Sequence, residues 1–195
     1  ARETRSLVQL FHQLDPDLFI DNHVSNGSDY QHIMTLLSTQ HSKLGGAMGK
    51  YLEQMLEPAI YADMKVRGYS LVPYVNHWGH APDKGWKQFL EGPRFASGFA
   101  ALFQTFAFVP ETHMLKTFKQ RTNATYTLML SFISTASQLA EPIKNARIAD
   151  RQALLANTSH VLDWKSDTTA NKVISFMGYE AGYKPSEVSG KPRLY

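Results

Sequence analysis

Two short apolar runs, each ending directly in acidic and histidine side chains, constrain the fold of this chain more than any other feature. Residues 18–20 (Leu-Phe-Ile) lead into 21–23 (Asp-Asn-His), and residues 106–110 lead into 111–113 (Glu-Thr-His). Apolar runs of this length are typical of buried strands, and apolar residues recur at helical spacing between them. Strands that alternate with helices predict an α/β domain with a largely parallel or mixed central sheet flanked by helices.

The other elements follow from apolar spacing and from turn residues. Helices are predicted at 3–14, 47–66 and about 122–140, with a short one near 99–106. Pro58 lies inside the second helix and predicts a kink there. A further strand is predicted at 69–75. Residues 76–96 are rich in Gly, Pro and polar side chains, which is typical of an ordered surface loop.

The composition divides the chain into a large body and a small extension. Residues 1–155 carry the alternating helices and strands and form the predicted α/β domain. Residues 156–172 are polar and have the composition of a linker. Residues 173–176 (Val-Ile-Ser-Phe) and the Tyr- and Gly-rich end predict the start of a β-rich extension over 173–195.

Composition also narrows the possible chemistry. The chain has no cysteine, so a metal would be held by His, Asp or Glu. Its 20 Lys and Arg against 17 Asp and Glu give a net charge of +3, and the basic residues are scattered, so no nucleic-acid partner is expected. No apolar run approaches the roughly 20 residues of a membrane span, so no membrane partner is expected either.

Polar side chains at the carboxyl ends of strands are where ligands bind in open α/β sheets. Asp21 and His23 are two residues apart on extended backbone, so the carboxylate is placed to orient the imidazole. Glu111 and His113 follow the second apolar run in the same way. Spacing alone leaves open whether these are ligands or hydrogen-bonded structural residues.

Two segments of the chain resemble the carboxypeptidase A-like zinc metallopeptidases. Residues 19–31 resemble the segment with the third zinc ligand, which reads D-x-H-x-x-N-G-x-D-Y-Q in a bacterial branch of that family. Residues 109–116 resemble the family's E-T-H-x-L-K segment. The resemblance covers at least residues 1–140, with both segments in the family's order.

This resemblance implies a set of roles. His23 would be a zinc ligand, and Glu111 would be the general base that takes a proton from zinc-bound water and passes it to the leaving amine. Asp21, His113 and Arg121 would lie behind these two residues or line the pocket. The substrate would be a peptide or a small amide, hydrolysed with zinc as cofactor.

The chain departs from the family in one respect. The other two zinc ligands come from an H-x-x-E motif upstream of the third, and none of the eight histidines has Glu three residues later. We therefore expect the chain to be a piece of a longer protein that lacks this motif, to bind zinc weakly or not at all, and to be inactive alone. Two alternatives stay open: a zinc deacylase of the same fold, and a catalytically dead binding module.

Several residues have two interpretations from sequence. His113 either tunes the adjacent Glu111 or anchors the end of its strand. Asp21 either orients His23 or caps the following turn. In the loop before the second strand, His77, Trp78 and His80 either border a pocket or are structural.

Overall fold

The computed structural model describes residues 2–25, 28–77 and 81–194. These residues form a central sheet with helices on both faces and, near the end of the chain, a separate two-stranded sheet. The helices are α1 (Arg2–Leu14), α2 (His41–Leu44), α3 (Gly46–Tyr51), α4 (Glu57–Val66), α5 (Ala96–Ala101), α6 (Phe118–Gln138) and α7 (Ala140–Ala156). The strands are β1 (Leu18–Ile20), β2 (His23–Ser25), β3 (Met34–Ser38), β4 (Val72–Pro73), β5 (Phe106–His113), β6 (Tyr183–Pro185) and β7 (Pro192–Leu194). The predicted α/β class, with a mixed sheet between helices, is confirmed.

The central sheet is organised around β5, its longest strand. Its order is β1-β5-β3-β4, and β2 continues the edge of β1 alongside the second half of β5. Both β1 and β2 run parallel to β5, whereas β3 is antiparallel to β5 and parallel to β4. Asn26 and Gly27, which suggest a turn after β2, lie outside the described residues, as do Trp78 and His80.

Alternation along β5 gives the sheet two different faces. Phe106 and Phe108 are fully buried in the main core, together with side chains from α3, α4, α6 and α7. Ala107 faces the other way and packs with Phe11 of α1 and Ala100 of α5. Helices therefore cover one end of this second face, and Glu111 lies further along it, toward the carboxyl end of β5.

The predicted helix at 47–66 is divided by its proline. Residues 52–56 form a π-helical turn, and Pro58 lies in the first turn of α4. Proline has no N–H to donate to the carbonyl of Gln54, so the regular α-helical ladder is interrupted at this point. The side chains of Leu52 and Leu56 in the turn are nevertheless fully buried.

A buried aspartate of α7 holds the start of α3. Both carboxylate oxygens of Asp150 accept hydrogen bonds from the chain, at 2.7 Å from the N–H of Ala47 and 2.8 Å from that of Met48. Gly46 leaves room for this contact, because a Cβ there would lie 2.2 Å from Asp150 Oδ1, and its φ of +43° also favours glycine. The N–H groups that α3 exposes at its start are thereby satisfied.

An arginine of α7 ties the same helix to the connection between α1 and β1. Arg147 is 5% exposed and donates to the carbonyl oxygens of Gln104 and Asp15 and to the carboxylates of Asp15 and Asp17. Arg151, one turn later, also donates to the Asp15 carboxylate. These two hydrogen-bonded arginines, Arg151 first, hold the pKa of Asp15 well below its ordinary value.

Two predicted strands differ from the structure, and two of its elements were not predicted. The strand predicted at 69–75 is only Val72–Pro73. Its start is shortened because the N–H of Tyr69 donates to the carbonyl of Met64 at the end of α4. The strand predicted at 173–176 is not formed; residues 157–182 are irregular and the small sheet is β6-β7. Strand β3 and helix α7 were not predicted.

The edge of the sheet at β1 is open. Among the described residues β1 pairs only with β5, and its three side chains are only partly buried. The neighbouring α1 has three leucines at helical spacing that are half exposed or more: Leu7, Leu10 and Leu14. No helix in the described ranges is both long and apolar enough to cross a bilayer.

Candidate functional site

The register of two parallel strands places the two predicted site residues side by side. His23 of β2 is the direct partner of Glu111 of β5, so both side chains lie on the same face of the sheet. His23 Nδ1 is 3.7 Å from Glu111 Oε1. The imidazole is 50% exposed and the carboxylate 12% exposed, so the pair opens to solvent from the histidine side.

The other ring nitrogen of His23 contacts Asp21. The distance from Nε2 to Asp21 Oδ2 is 2.9 Å. When the proton of a neutral ring is on Nε2, it is donated to this carboxylate and Nδ1 keeps its lone pair. Asp21 therefore orients the imidazole as its spacing predicted, and it selects the tautomer with a free Nδ1 beside Glu111.

Burial sets the proton affinity of Glu111. The loss of solvent raises the pKa of this carboxyl, the nearby His23 lowers it, and the charge of Asp21 raises it again. Burial is the largest of the three effects. A glutamate with a raised pKa holds a proton more readily than an exposed one, which is the property that a general base requires.

Three residues with hydroxyl groups lie near Glu111. Tyr30 is 2% exposed and its hydroxyl is 3.2 Å from Ser25 Oγ. Burial raises the Tyr30 pKa, the hydroxyls of Ser25 and Thr35 lower it, and the Glu111 charge raises it. Thr35 of β3 is the antiparallel partner of Glu111. We refer to Tyr30, Ser25 and Thr35 as the hydroxyl wall of the site.

His113 anchors the segment that follows β2. It is 1% exposed, and its Nδ1 accepts the N–H of Leu115 at 3.2 Å. Its Nε2 lies 3.0 Å from Asp29 Oδ1 and 3.3 Å from the backbone nitrogen of Tyr30. The ring of Tyr30 packs on that of His113, with centroids 4.2 Å apart. Burial and, after it, the charge of Lys116 lower the pKa of His113. Of its two interpretations, these contacts favour the anchor.

Arg121 is not part of this cluster. It lies in the first turn of α6, where the helix begins with a capping box between Thr117 and Gln120. Its Nε is buried and has no hydrogen-bond partner in the described part of the chain. No hydrogen bond or ion pair between described residues joins it to His23 or Glu111.

The donor set suits zinc in kind but is too small. A neutral imidazole whose second nitrogen donates to a carboxylate is the usual form of a zinc-ligating histidine, and His23 with Asp21 has this form. A catalytic zinc needs three protein ligands. Within residues 2–25, 28–77 and 81–194, no three His, Asp or Glu side chains come together as a metal-ligand group.

Sequence reasoning did not identify the hydroxyl wall. Tyr30 lies inside the segment that resembles the metallopeptidases, but nothing in the sequence indicates that it folds back onto His113. Thr35 belongs to a strand that was not predicted. The loop before β5 contacts the segment after β2, because the Ser28 hydroxyl donates to the His77 carbonyl at 3.0 Å.

No protein-family model, curated protein or solved structure matches the chain. The case for a function therefore depends on the residues themselves and on their geometry.

The burial of Glu111 predicts a pH-dependent cost in stability. The pKa of Glu111 is raised in the folded state, so the residue ionises at lower pH in the unfolded chain than in the folded one. As pH rises from the unfolded pKa to the folded pKa, this residue therefore destabilises the fold by a growing amount. Above the folded pKa the destabilisation is constant. Glu111→Gln should therefore unfold at higher urea concentration than the unsubstituted chain at neutral pH, and the difference should shrink toward pH 4.5, the ordinary value. A difference that grew on acidification would contradict this account.

Proposed function

We propose that this chain is part of a zinc-dependent hydrolase of peptide or amide bonds, of the metallocarboxypeptidase type. His23 is one zinc ligand and Glu111 is the general base. The remaining ligands come from residues other than these 195, so the chain alone is inactive. The observation that carries the proposal is the direct pairing of His23 with Glu111, with Nδ1 and Oε1 3.7 Å apart.

Each residue of the pair has a separate task. The zinc ion, when bound, lowers the pKa of a bound water and polarises the scissile carbonyl. Glu111 takes the proton from the attacking water and delivers it to the leaving amine, a role for which its burial favours it. Asp21 holds the proton of His23 on Nε2, which leaves Nδ1 free to bind metal.

The open edge at β1 supports the view that the site is completed by further polypeptide. The exposed leucines lie on α1 and the unpaired edge belongs to β1, and these two consecutive elements lead directly to Asp21 and His23. A strand added there would pair with β1 and end beside the site.

A zinc deacylase that removes an acyl group from an amino acid is the nearest alternative. It would use His23 and Glu111 in the same roles, so only substrates separate the two. Peptides with free carboxyl ends and N-acyl amino acids, tested side by side by mass spectrometry, would distinguish them. A dead binding module is disfavoured, because burying the Glu111 carboxyl has an energetic cost that a module without chemistry has no reason to retain.

The zinc role of His23 is tested by metal content. In a polypeptide that carries the two missing ligands, His23→Ala should reduce zinc affinity by at least about 10-fold, since even the loss of a group that only hydrogen-bonds to a ligand costs that much. Bound zinc is measured by atomic absorption after dialysis against a weak chelator. His160→Ala, an exposed histidine in the linker, is the matched control and should retain full zinc. Full zinc occupancy in His23→Ala would overturn the proposal.

A further inference from the structure

A short segment far along the chain covers the hydroxyl wall. Residues 176–179 (Phe-Met-Gly-Tyr), which we call the latch, lie in an otherwise irregular stretch between α7 and β6. The Phe176 ring packs on three aromatic rings, with centroid distances of 5.2 Å to Trp86, 5.3 Å to His32 and 5.8 Å to Tyr30. Phe176 is thus part of what keeps Tyr30, beside Glu111, out of solvent.

Backbone hydrogen bonds fix the latch to the segment before β3. The N–H of Gln31 donates to the Met177 carbonyl at 2.9 Å, and the Gln31 side-chain amide donates to the Gly178 carbonyl at 2.7 Å. At the far end, Lys116 Nζ is 3.1 Å from the Tyr179 hydroxyl and 5.2 Å from the centre of its ring. Shortly before the latch the chain is open to solvent, since Val173 is 97% exposed.

The central contact of the latch depends on the protonation of one histidine. His32 is 3% exposed. Its Nδ1 lies 2.9 Å from the Ser70 carbonyl and must donate to it, while its Nε2 accepts the N–H of Met177 at 3.0 Å. Only a neutral ring with its proton on Nδ1 satisfies both contacts. A protonated ring would place an N–H against the N–H of Met177.

We propose that residues 176–179 are a proton-controlled latch, docked while His32 is neutral and released when His32 is protonated, so that mild acid uncovers Tyr30 beside the His23–Glu111 pair. The inference does not require the proposed hydrolase activity. It rests on the hydrogen bonds of His32 and on the packing of Phe176.

The charges around His32 favour the neutral ring. Burial lowers the pKa of His32 and Lys116 lowers it further, against the Ser70 hydrogen bond. Asp29, 3.7 Å from Lys116 Nζ, partly offsets that charge. Tyr30 is neutral in this range, because burial raises its pKa above 10.0. His113, which packs on Tyr30, also titrates in acid, so its effect has to be separated from that of His32.

The sign of the pH dependence follows from this lowered pKa. The docked state binds a proton less readily than the released state, because burial lowers the pKa of His32 and its Nε2 accepts the N–H of Met177 only in the docked state. Docking is therefore fully favourable above the pKa of His32 in the released state and weakens as pH falls below it, by about tenfold in the docking equilibrium for each pH unit. The weakening ends when the pH passes the lowered pKa of the docked state.

Amide hydrogen exchange of the full chain, followed by NMR, tests the latch. The amides of Met177 and Gln31 should be protected at about pH 7.5, and their protection, corrected for intrinsic exchange, should fall together by at least about tenfold at about pH 5. His32→Gln, which accepts a hydrogen bond but does not titrate, should remove this pH dependence. Phe176→Ala, a change in a peripheral segment, should remove the protection at both pH values.

Three results would overturn the latch. The first is an unprotected Met177 amide at about pH 7.5, and the second is protection that does not change on acidification. The third is an unchanged pH dependence in His32→Gln, which would assign the titration to His113. His160→Gln, an exposed histidine of the linker, is the matched control and should behave like the unsubstituted chain.

Discussion

Glu111→Gln, in a polypeptide that carries the complete zinc site, should reduce kcat for hydrolysis by at least about 10²–10⁴-fold and leave zinc content unchanged. The amide has nearly the same shape as the carboxylate but cannot take a proton from the attacking water. Peptide cleavage and zinc content are measured on the same preparation. Glu187→Gln, an exposed change in the turn between β6 and β7, is the control and should retain full activity.

The two other possible outcomes have distinct meanings. Loss of zinc together with activity would make Glu111 a metal ligand and move the base to another residue. Retained activity would remove Glu111 from the mechanism and leave its burial unexplained. The comparison with His23→Ala separates these outcomes. His23→Ala is expected to lose zinc, whereas Glu111→Gln is expected to lose activity and keep zinc.

Arg147→Ala should lower the free energy of unfolding by about 3 kcal/mol, the lower end of the range for breaking a buried ion pair. The lower end applies because the Asp15 and Asp17 partners are 52% and 39% exposed and can be rehydrated. The buried guanidinium also serves two backbone carbonyls, of Gln104 and Asp15, that would lose a donor. Urea unfolding of the 195-residue chain measures the change.

Arg151 provides a matched control for this prediction. It donates to the same Asp15 carboxylate but is 39% exposed, so Arg151→Ala should cost at most about 1 kcal/mol. Equal losses for the two variants would show that the surface charge on Asp15, rather than the buried contacts of Arg147, holds α7 against the connection between α1 and β1.

The elements that frame the site could be predicted from the sequence because their signals are local. Strands β1 and β5 are short apolar runs that end in polar residues, and the Asp21–His23 contact follows from the alternation of side chains. Strand β3 (Met-Thr-Leu-Leu-Ser) buries all five of its side chains, so it lacks the alternation of apolar and polar residues by which a half-buried strand is recognised. Its antiparallel pairing with β5 depends on residues about 75 positions apart in the chain, and no local pattern encodes such a partner.

Helix α7 was missed for a different physical reason. Arg147 and Asp150 are among the side chains that it buries, so charged residues interrupt the apolar stripe by which a helix is recognised. Their partners, the Asp15 carboxylate and the first N–H groups of α3, are known only once the fold is known. The latch was also not predicted, because its contacts are known only once the fold is known: the His32 ring on which Phe176 packs is 144 positions away in the chain.

The register of β2 against β5 makes the site sensitive to changes in chain length rather than in chemistry. A single residue inserted between Ala107 and Glu111 would turn the carboxylate to the opposite face of the sheet, where Phe108 packs in the main core, away from His23. Two inserted residues would restore the face but displace the carboxylate by about 6–7 Å along the strand. Relatives that share this chemistry should therefore vary freely in their loops, but hardly at all in the number of residues between the start of β5 and its glutamate.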